Sequence, residues 1–391
     1  MKDQIAKYTA KLVSDRSASA DRIAIAAQDD ILLTAGADDL AALAGAILSK
    51  LNSLALVVAR PSLPFAEFLI GRAASDETSI LPQDTETRTF LHDIPFLRRD
   101  ELAEDPSAQI ARLLGSRKGV IVEGVGIVSV GAITIEQAYI NYSSVFHSTF
   151  VKYLQDLLAE GFRLPGEREG FDTFRNEWLR PLSAEGLAFR EELSDHRDDI
   201  LDEIERVGRY TVERGLVDSF FGNISAKAGE LIYISQTAAS LDELAGCIDP
   251  VPTDNTSTTG ITASSELLAH RKIFEETGAT VILHGHPKFA VIMSMLCETS
   301  DCTITDCWKD CPHVRYLGGT PVVAGEIGAG GLAKRVPPVI GRTGSAIVYG
   351  HGVFTIGERF GDAFAAMVDV ENFCRSEYFR RFDQSLSSPL R

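Results

Sequence analysis

Gly344-Ser-Ala-Ile-Val-Tyr-Gly-His-Gly-Val-Phe-Thr-Ile-Gly357 repeats the pattern of Lys118-Gly-Val-Ile-Val-Glu-Gly-Val-Gly-Ile-Val-Ser-Val-Gly131. Gly124, Gly126 and Gly131 fall on Gly350, Gly352 and Gly357 at one constant offset. Both stretches read as a strand, a glycine turn and a second strand. The same offset aligns Leu54-Ala-Leu-Val-Val-Ala-Arg-Pro61 with Thr280-Val-Ile-Leu-His-Gly-His-Pro287. Upstream, Leu33-Thr-Ala-Gly-Ala-Asp-Asp-Leu40 resembles Ile261-Thr-Ala-Ser-Ser-Glu-Leu-Leu268, and a helical pattern follows each. Three blocks in one order predict a duplicated chain. Strands alternate with helices, so the expected class is α/β: a layered α/β/α fold around a central mixed or antiparallel sheet.

The two copies differ where chemistry is expected. Residues two apart on a strand face the same way, so His284 and His286 present their imidazoles side by side. His351 lies in the second glycine-rich turn. Three nitrogens with one vacant position is how a catalytic zinc is held, whereas a structural zinc usually has four protein ligands. In the first copy the three histidines fall on Val58, Arg60 and Val125, and Glu266 falls on Asp38. That copy is expected to hold no such metal.

Composition bounds the function. A length of 391 residues predicts roughly two domains of about 150 each. A hydrophobic content of 45% can fill both cores. A net charge of −17 argues against nucleic acid or an anionic membrane as partner, because phosphate surfaces need basic ones. There is no run of about 18 apolar residues and no signal-peptide pattern, so a cytoplasmic protein is expected. Cys297, Cys302, Cys307 and Cys311 crowd into one segment with a spacing that is neither C-x-x-C nor a standard iron–sulfur run. A second metal, a cluster or a redox role stands there beside ordinary thiols, with His313 as an extra ligand or a solvated loop residue. Gly325-Glu-Ile-Gly-Ala-Gly-Gly331 is only superficially a dinucleotide loop, since no long buried strand precedes it.

Residues 161–190, rich in Gly, Pro and charge through Pro181, read as a linker. A helix is expected over Asp198–Gly215, with acids at its start and apolar residues at Ile200, Leu201, Ile204, Val207 and Val212. Short strands follow near Ile224 and over 231–234, then a helix near 264–277, the histidine strand, a strand at 347–348 and a last helix from about Gly361.

Four separated pieces, Gly222-Asn-Ile-Ser225, Ala263-Ser-Ser-Glu266, His284-Gly-His-Pro287 and Gly350-His-Gly352, occur in an order that resembles the class II aldolase/adducin family, with fuculose-phosphate aldolase among its members. The resemblance spans roughly residues 198–375. It implies a catalytic domain over 191–391 and a degenerate, metal-free aldolase-like domain over 1–160. It further implies that His284, His286 and His351 bind Zn2+ or another divalent ion such as Mn2+, Co2+ or Fe2+, and that Glu266 is the acid/base carboxylate. Ser264 and Ser265 match the family's anion-contacting pair, and Gly222 and Asn223 its contact with the substrate's phosphate end.

The sequence departs from the family where phosphate-using members carry a Thr-Pro-Ser-Gly-like turn and this chain reads Ser235-Gln-Thr-Ala238. Thr237 can still donate a hydroxyl, but loss of glycine weakens close approach to a phosphate. Sugar phosphates and carboxylate substrates therefore both remain open. The implied function is a metal-dependent lyase acting through an enediolate on a small hydroxy-carbonyl or sugar-phosphate-like molecule. A 4-epimerase, a dehydratase or decarboxylase, and a non-catalytic adducin-like binding protein are the alternatives. A homo-oligomer with its active site near a domain or subunit interface is expected. The family's catalytic tyrosine has no secure match, and Tyr316, Tyr349 and Tyr378 are candidates by proximity in sequence alone.

Overall fold

Two units make up the chain, Met1–Leu179 and Arg180–Arg391. The structure is a computed structural model, and it describes all residues except 219–220, 255, 257, 300–301, 326–327 and 388–391.

The first unit opens with helix α1 (Lys2–Ser14), strands β1 (Ala18–Gln28) and β2 (Leu32–Gly36), helix α2 (Asp38–Leu48), strand β3 (Ala55–Pro61) and helix α3 (Phe65–Arg72). It continues through β4 (Ser79–Ile80), α4 (Thr85–Leu91), β5 (Ile94–Leu97), α5 (Ser107–Leu114), β6 (Gly119–Val122) and β7 (Gly126–Gly131). It closes with the long α6 (Ile135–Glu160), α7 (Glu167–Thr173) and a π-helical turn at Phe174–Trp178. Residues 167–178 are thus helical, and 161–179 belong to this unit. Phe171 and Phe174 are buried among aromatic neighbours, and the Glu167 carboxylate is fully buried against Arg72. The stretch 180–196 that follows has neither helix nor strand.

The second unit contains α8 (Arg197–Glu213), β8 (Asn223–Ala228), β9 (Leu231–Ser235), β10 (Ile248–Pro252), α9 (Leu267–Thr277), β11 (Val281–Gly285) and α10 (Lys288–Ser294). It goes on through α11 (Cys307–Asp310), β12 (Arg315–Leu317), β13 (Thr320–Val323), α12 (Gly328–Arg335) and α13 (Pro337–Thr343). It finishes with β14 (Ser345–Val348), β15 (Gly352–Gly357) and α14 (Phe360–Ser387). Among the described residues no helix is long and apolar enough to cross a membrane.

The sheets repeat each other. The first runs β2-β1-β3-β7-β6-β5-β4 and the second β10-β9-β8-β11-β15-β14-β13-β12. Apart from the added edge strand β10, the two orders correspond strand for strand. All pairs are antiparallel except β5 with β6 and β13 with β14, which occupy the same place in both sheets. Even the register agrees: Ala59 pairs with Ile127 as Gly285 pairs with Val353. The fold is therefore a duplicated α/β architecture with mixed sheets. One block of the sequence alignment shifts on folding. Leu33–Gly36 lies in β2, whereas Ile261 ends a 3-10 turn after β10, so only the helix starts of α2 and α9 correspond there.

Each sheet is covered on both faces. In the first unit Leu40, Ile47, Ile110 and Leu114 of α2 and α5 pack on Ala24, Leu56, Val58, Val120 and Val128. In the second, Ile273, Phe274, Leu332 and Ile340 of α9, α12 and α13 pack on Ile234, Ile282, Ala346 and Phe354. Burial of about 1.5–3 kcal/mol per such side chain is the main stabilising term.

Candidate metal centre

Strand β11 is buried over its whole length, and its two sheet neighbours hold it in register. His284 shares the face of Ile282, the face covered by α9, and His286 follows two residues later, just past the strand end. His351 lies in the turn between β14 and β15, where Gly350 takes a φ of 60°. That left-handed backbone favours glycine and brings the turn back over β11.

The three rings meet. His284 Nε2 lies 3.0 Å from His286 Nε2 and 3.2 Å from His351 Nε2, and the three donor atoms all fall within 4.8 Å of one another. Imidazoles bound tetrahedrally about 2.05 Å from a zinc stand about 3.3 Å apart, so the spacing suits one shared ion. His284 Nδ1 contacts the Val353 carbonyl at 3.0 Å. A ring that donates there keeps the Nε2 lone pair for a cation. The rings are clamped by aromatic faces, Phe354 stacking on His284 at 4.0 Å and Phe221 on His286 at 5.5 Å. His284 and His286 are 1% and 3% exposed, which limits competition from water.

Glu266 completes the cluster. It caps α9, with Oε2 3.4 Å from His284 Nε2 and Oε1 3.3 Å from His351 Nε2. Burial works to raise its carboxyl, while protonated His284 and His351, in the absence of an ion, and a hydrogen bond from Asn223 hold it well below the usual carboxylate range. Asn223 sits directly opposite His284 on β8, and its Nδ2 donates to Glu266 Oε2 at 2.8 Å. Its buried Oδ1 has no hydrogen-bond partner. Gly222, at a φ of 90°, has no room for a side chain, because a Cβ there would stand 2.5 Å from the His284 carbonyl oxygen.

The remaining expected contacts lie in the turns beside this cluster. Ser264 is buried, and its Oγ accepts from the Glu266 amide at 3.3 Å, while Ser265 is exposed. The Thr237 hydroxyl donates to the Ala263 carbonyl at 2.9 Å, which ties the Ser235–Ala238 turn to the loop before α9. Tyr378 is fully buried among Phe289, Phe379 and Phe382 and is a core residue. Tyr316 is exposed on β12, and Tyr349 packs against Arg315. In Gly325–Gly331, residues 326 and 327 lie outside the described residues, and α12 starts at Gly328.

One site residue went unread in the sequence. His270, on α9 one turn after Glu266, is fully buried with Nδ1 2.7 Å from Ser225 Oγ. Burial pushes it down to about 3, against the pull of Glu266, so it stays neutral. A regular helix places position i+4 over position i, which was the signal available.

The first unit has apolar core in the corresponding place. Val58 is fully buried in its hydrophobic cluster and Val125 packs on the same cluster. Arg60 instead lines a separate cavity of roughly 460 Å³ with Glu67 and Arg99.

No curated protein matches the chain. Among solved structures it is similar to l-fuculose-1-phosphate aldolase from Thermus thermophilus, with 22% identity over 49% of this chain and 98% of that one and a TM-score of 0.41. It is similar to a sugar-phosphate aldolase from Thermotoga maritima, with 18% identity over 49% and 96% and a TM-score of 0.37. A third likeness is to the N-terminal class II aldolase domain of a conserved protein from Thermoplasma acidophilum, at 12% identity, 50% and 99% coverage and a TM-score of 0.36. The family model described as Class II Aldolase and Adducin N-terminal domain matches residues 202–378, a span that contains Asn223, Glu266 and all three histidines. By that match residues 202–378 of the second unit are similar to the class II aldolase and adducin family.

Proposed function

We propose that the second unit is a divalent-metal-dependent lyase that breaks or forms a carbon–carbon bond in a small hydroxy-carbonyl or sugar-phosphate-like substrate. The supporting observation is the meeting of three imidazole nitrogens with Glu266 beside them. Adducin-like loss of activity would leave no reason to keep that set together. When bound, a divalent ion supplies a fixed positive charge that orients carbonyl and hydroxyl oxygens and stabilises the enediolate charge left by bond cleavage. Zinc suits an all-imidazole donor set, and Mn2+, Co2+ and Fe2+ are the alternatives.

The chain's own groups then divide the work. His284, His286 and His351 would hold the ion, and the Val353 carbonyl fixes the His284 tautomer. Glu266, held by Asn223, takes a proton from the substrate and returns it after the carbon skeleton has been cut or joined. Asn223 Oδ1 and the exposed Ser265 hydroxyl are free to meet polar groups of the substrate.

The test is metal analysis of the purified full chain, followed by a screen of sugar phosphates and hydroxy acids with aldehyde release as readout. His284→Ala should lose both the ion and turnover. Glu266→Gln should keep the ion and lose turnover by about 10²–10⁴-fold. An active His284→Ala protein would remove the mechanism.

A further inference from the structure

Cys297, Cys302, Cys307 and Cys311 line one cavity of roughly 230 Å³, together with Arg315 and Tyr349. All four are free thiols. They sit on an addition to the second copy. In the first unit the connection from α3 to β4 is residues 73–78, without a cysteine, whereas the matching connection from α10 to β12 is residues 295–314. Its only regular element among the described residues is the single turn α11. So long a loop with little secondary structure of its own needs another source of order.

The cavity is prepared for negative sulfur. Arg315 donates to the Ser294 and Leu296 carbonyls at the end of α10 and lies over the Tyr349 ring, which fixes its charge beside the thiols. The amide and hydroxyl of Thr299, with Arg315, favour the Cys297 thiolate. Burial and the neighbouring sulfurs oppose a thiolate at Cys307, an opposition that a bound cation would offset.

Thiolates select zinc, copper(I) or iron–sulfur clusters. A four-sulfur zinc site, with bonds of about 2.3 Å, needs its sulfurs about 3.8 Å apart. Among the described residues the group close enough to grip a bare ion is the histidine triad, and the thiols are spread around a cavity wall instead. A four-iron cluster places each thiolate on a different iron and spans that wider spacing. The run follows no standard iron–sulfur spacing, so the assignment stands on the cavity and not on a motif.

We propose that Cys297, Cys302, Cys307 and Cys311 hold an iron–sulfur cluster, a second metal centre in this unit. Each thiol releases its proton to solvent as its sulfur bonds to one iron of a preassembled cluster, and no electron is transferred. The cluster ties Cys297 and Cys302 to the turn α11 and to Cys311. It also reaches the histidine triad through α10, which begins after His286-Pro287, and through Tyr349, two residues before His351. The assignment does not depend on the lyase reading.

The full chain, purified without oxygen and then also reconstituted with iron and sulfide, is assayed for iron, acid-labile sulfide and zinc. Visible absorption is recorded before and after dithionite. Equal, stoichiometric iron and sulfide with absorption that dithionite bleaches is the expected result. Cys302→Ser and Cys311→Ser should each lose most of it, while His284→Ala keeps it. Circular dichroism of the serine variants separates loss of the cluster from loss of the fold. Absence of iron and sulfide from both wild-type preparations would overturn the proposal. So would zinc bound by sulfur, iron retained in folded serine variants, or disulfides among the four cysteines of protein handled without oxygen.

Discussion

The Asn223 amide nitrogen donates to Glu266 Oε2 at 2.8 Å, while the Asn223 backbone pairs directly opposite His284. One residue therefore ties the carboxylate to the strand that carries His284 and leads into His286. The resemblance assigns Asn223 to the phosphate end of a substrate; its Nδ2 is engaged by Glu266, and its Oδ1 is left for such a contact. Asn223→Ala should leave metal content unchanged and lower kcat by about tenfold or more, since a charge-assisted hydrogen bond contributes about 1.5–3 kcal/mol. Asn223→Asp should be worse, because it sets a second negative charge against Glu266. A variant with full kcat would show that Glu266 needs no such anchor.

Gly352 has no space for a side chain at the centre of the site. A Cβ there would stand 2.4 Å from the Gly285 carbonyl oxygen, 2.8 Å from His286 Cδ2 and 3.0 Å from His284 Cε1. Gly352→Ala keeps every donor atom yet forces both rings to move. The expected outcome is a several-fold weaker affinity for the ion and a loss of about 1–3 kcal/mol in stability, measured by metal titration and urea unfolding. Unchanged metal affinity would mean that the rings tolerate displacement.

Much of this was legible in sequence because the signals are local or periodic. Glycines at a constant offset gave the duplication, and the structure returns it down to the pairing of Ala59 with Ile127 and Gly285 with Val353. Period two gave a common direction for His284 and His286. The substitutions at Val58 and Val125 gave a first unit that buries apolar side chains where the second gathers histidines. What escaped depends on contacts between distant residues: the Phe354 and Phe221 faces against the rings, the His270 to Ser225 pair and the Asn223 to Glu266 bond. The first unit was read too short for a related reason. Residues 161–179 have the composition of a connector, but buried Phe171, Phe174 and the Glu167 to Arg72 pair anchor them to the first unit. Tertiary burial overrides local composition there.

Ala238 adopts a φ of 62°, in the left-handed region that disfavours a Cβ. It is the position at which the family's turn carries glycine. Strain of about 1–2 kcal/mol is expected for a non-glycine residue there, partly offset by glycine's greater freedom in the unfolded chain. Ala238→Gly should therefore raise stability by about 0.5–1 kcal/mol in urea unfolding. If phosphate is a substrate group, the same change should also lower KM for phosphorylated substrates relative to carboxylates. A destabilised variant would mean that the turn relaxes around alanine without strain.

Glu371, 4% exposed on α14, accepts from the Phe289 and Ala290 amides at 2.9 and 2.8 Å and so caps α10. Burial raises its carboxyl from 4.5 to about 7, against those two bonds and the charges of Lys288 and Arg375. Below 4.5 the group is protonated in both folded and unfolded chains and contributes no slope. Between 4.5 and about 7 the folded chain keeps a proton that the unfolded chain has lost, so stability falls as pH rises through this window. The full change is about 3 kcal/mol, and it levels off above the upper value. Glu371→Gln removes that titration, although it leaves one α10 amide poorly paired and lowers stability at acid pH. The stability difference between wild type and variant should therefore shrink by about 3 kcal/mol as pH rises across the window, read from urea unfolding at matched ionic strength. A difference that stays constant or widens with pH would place the ionised carboxylate, and not the acid, at the head of α10.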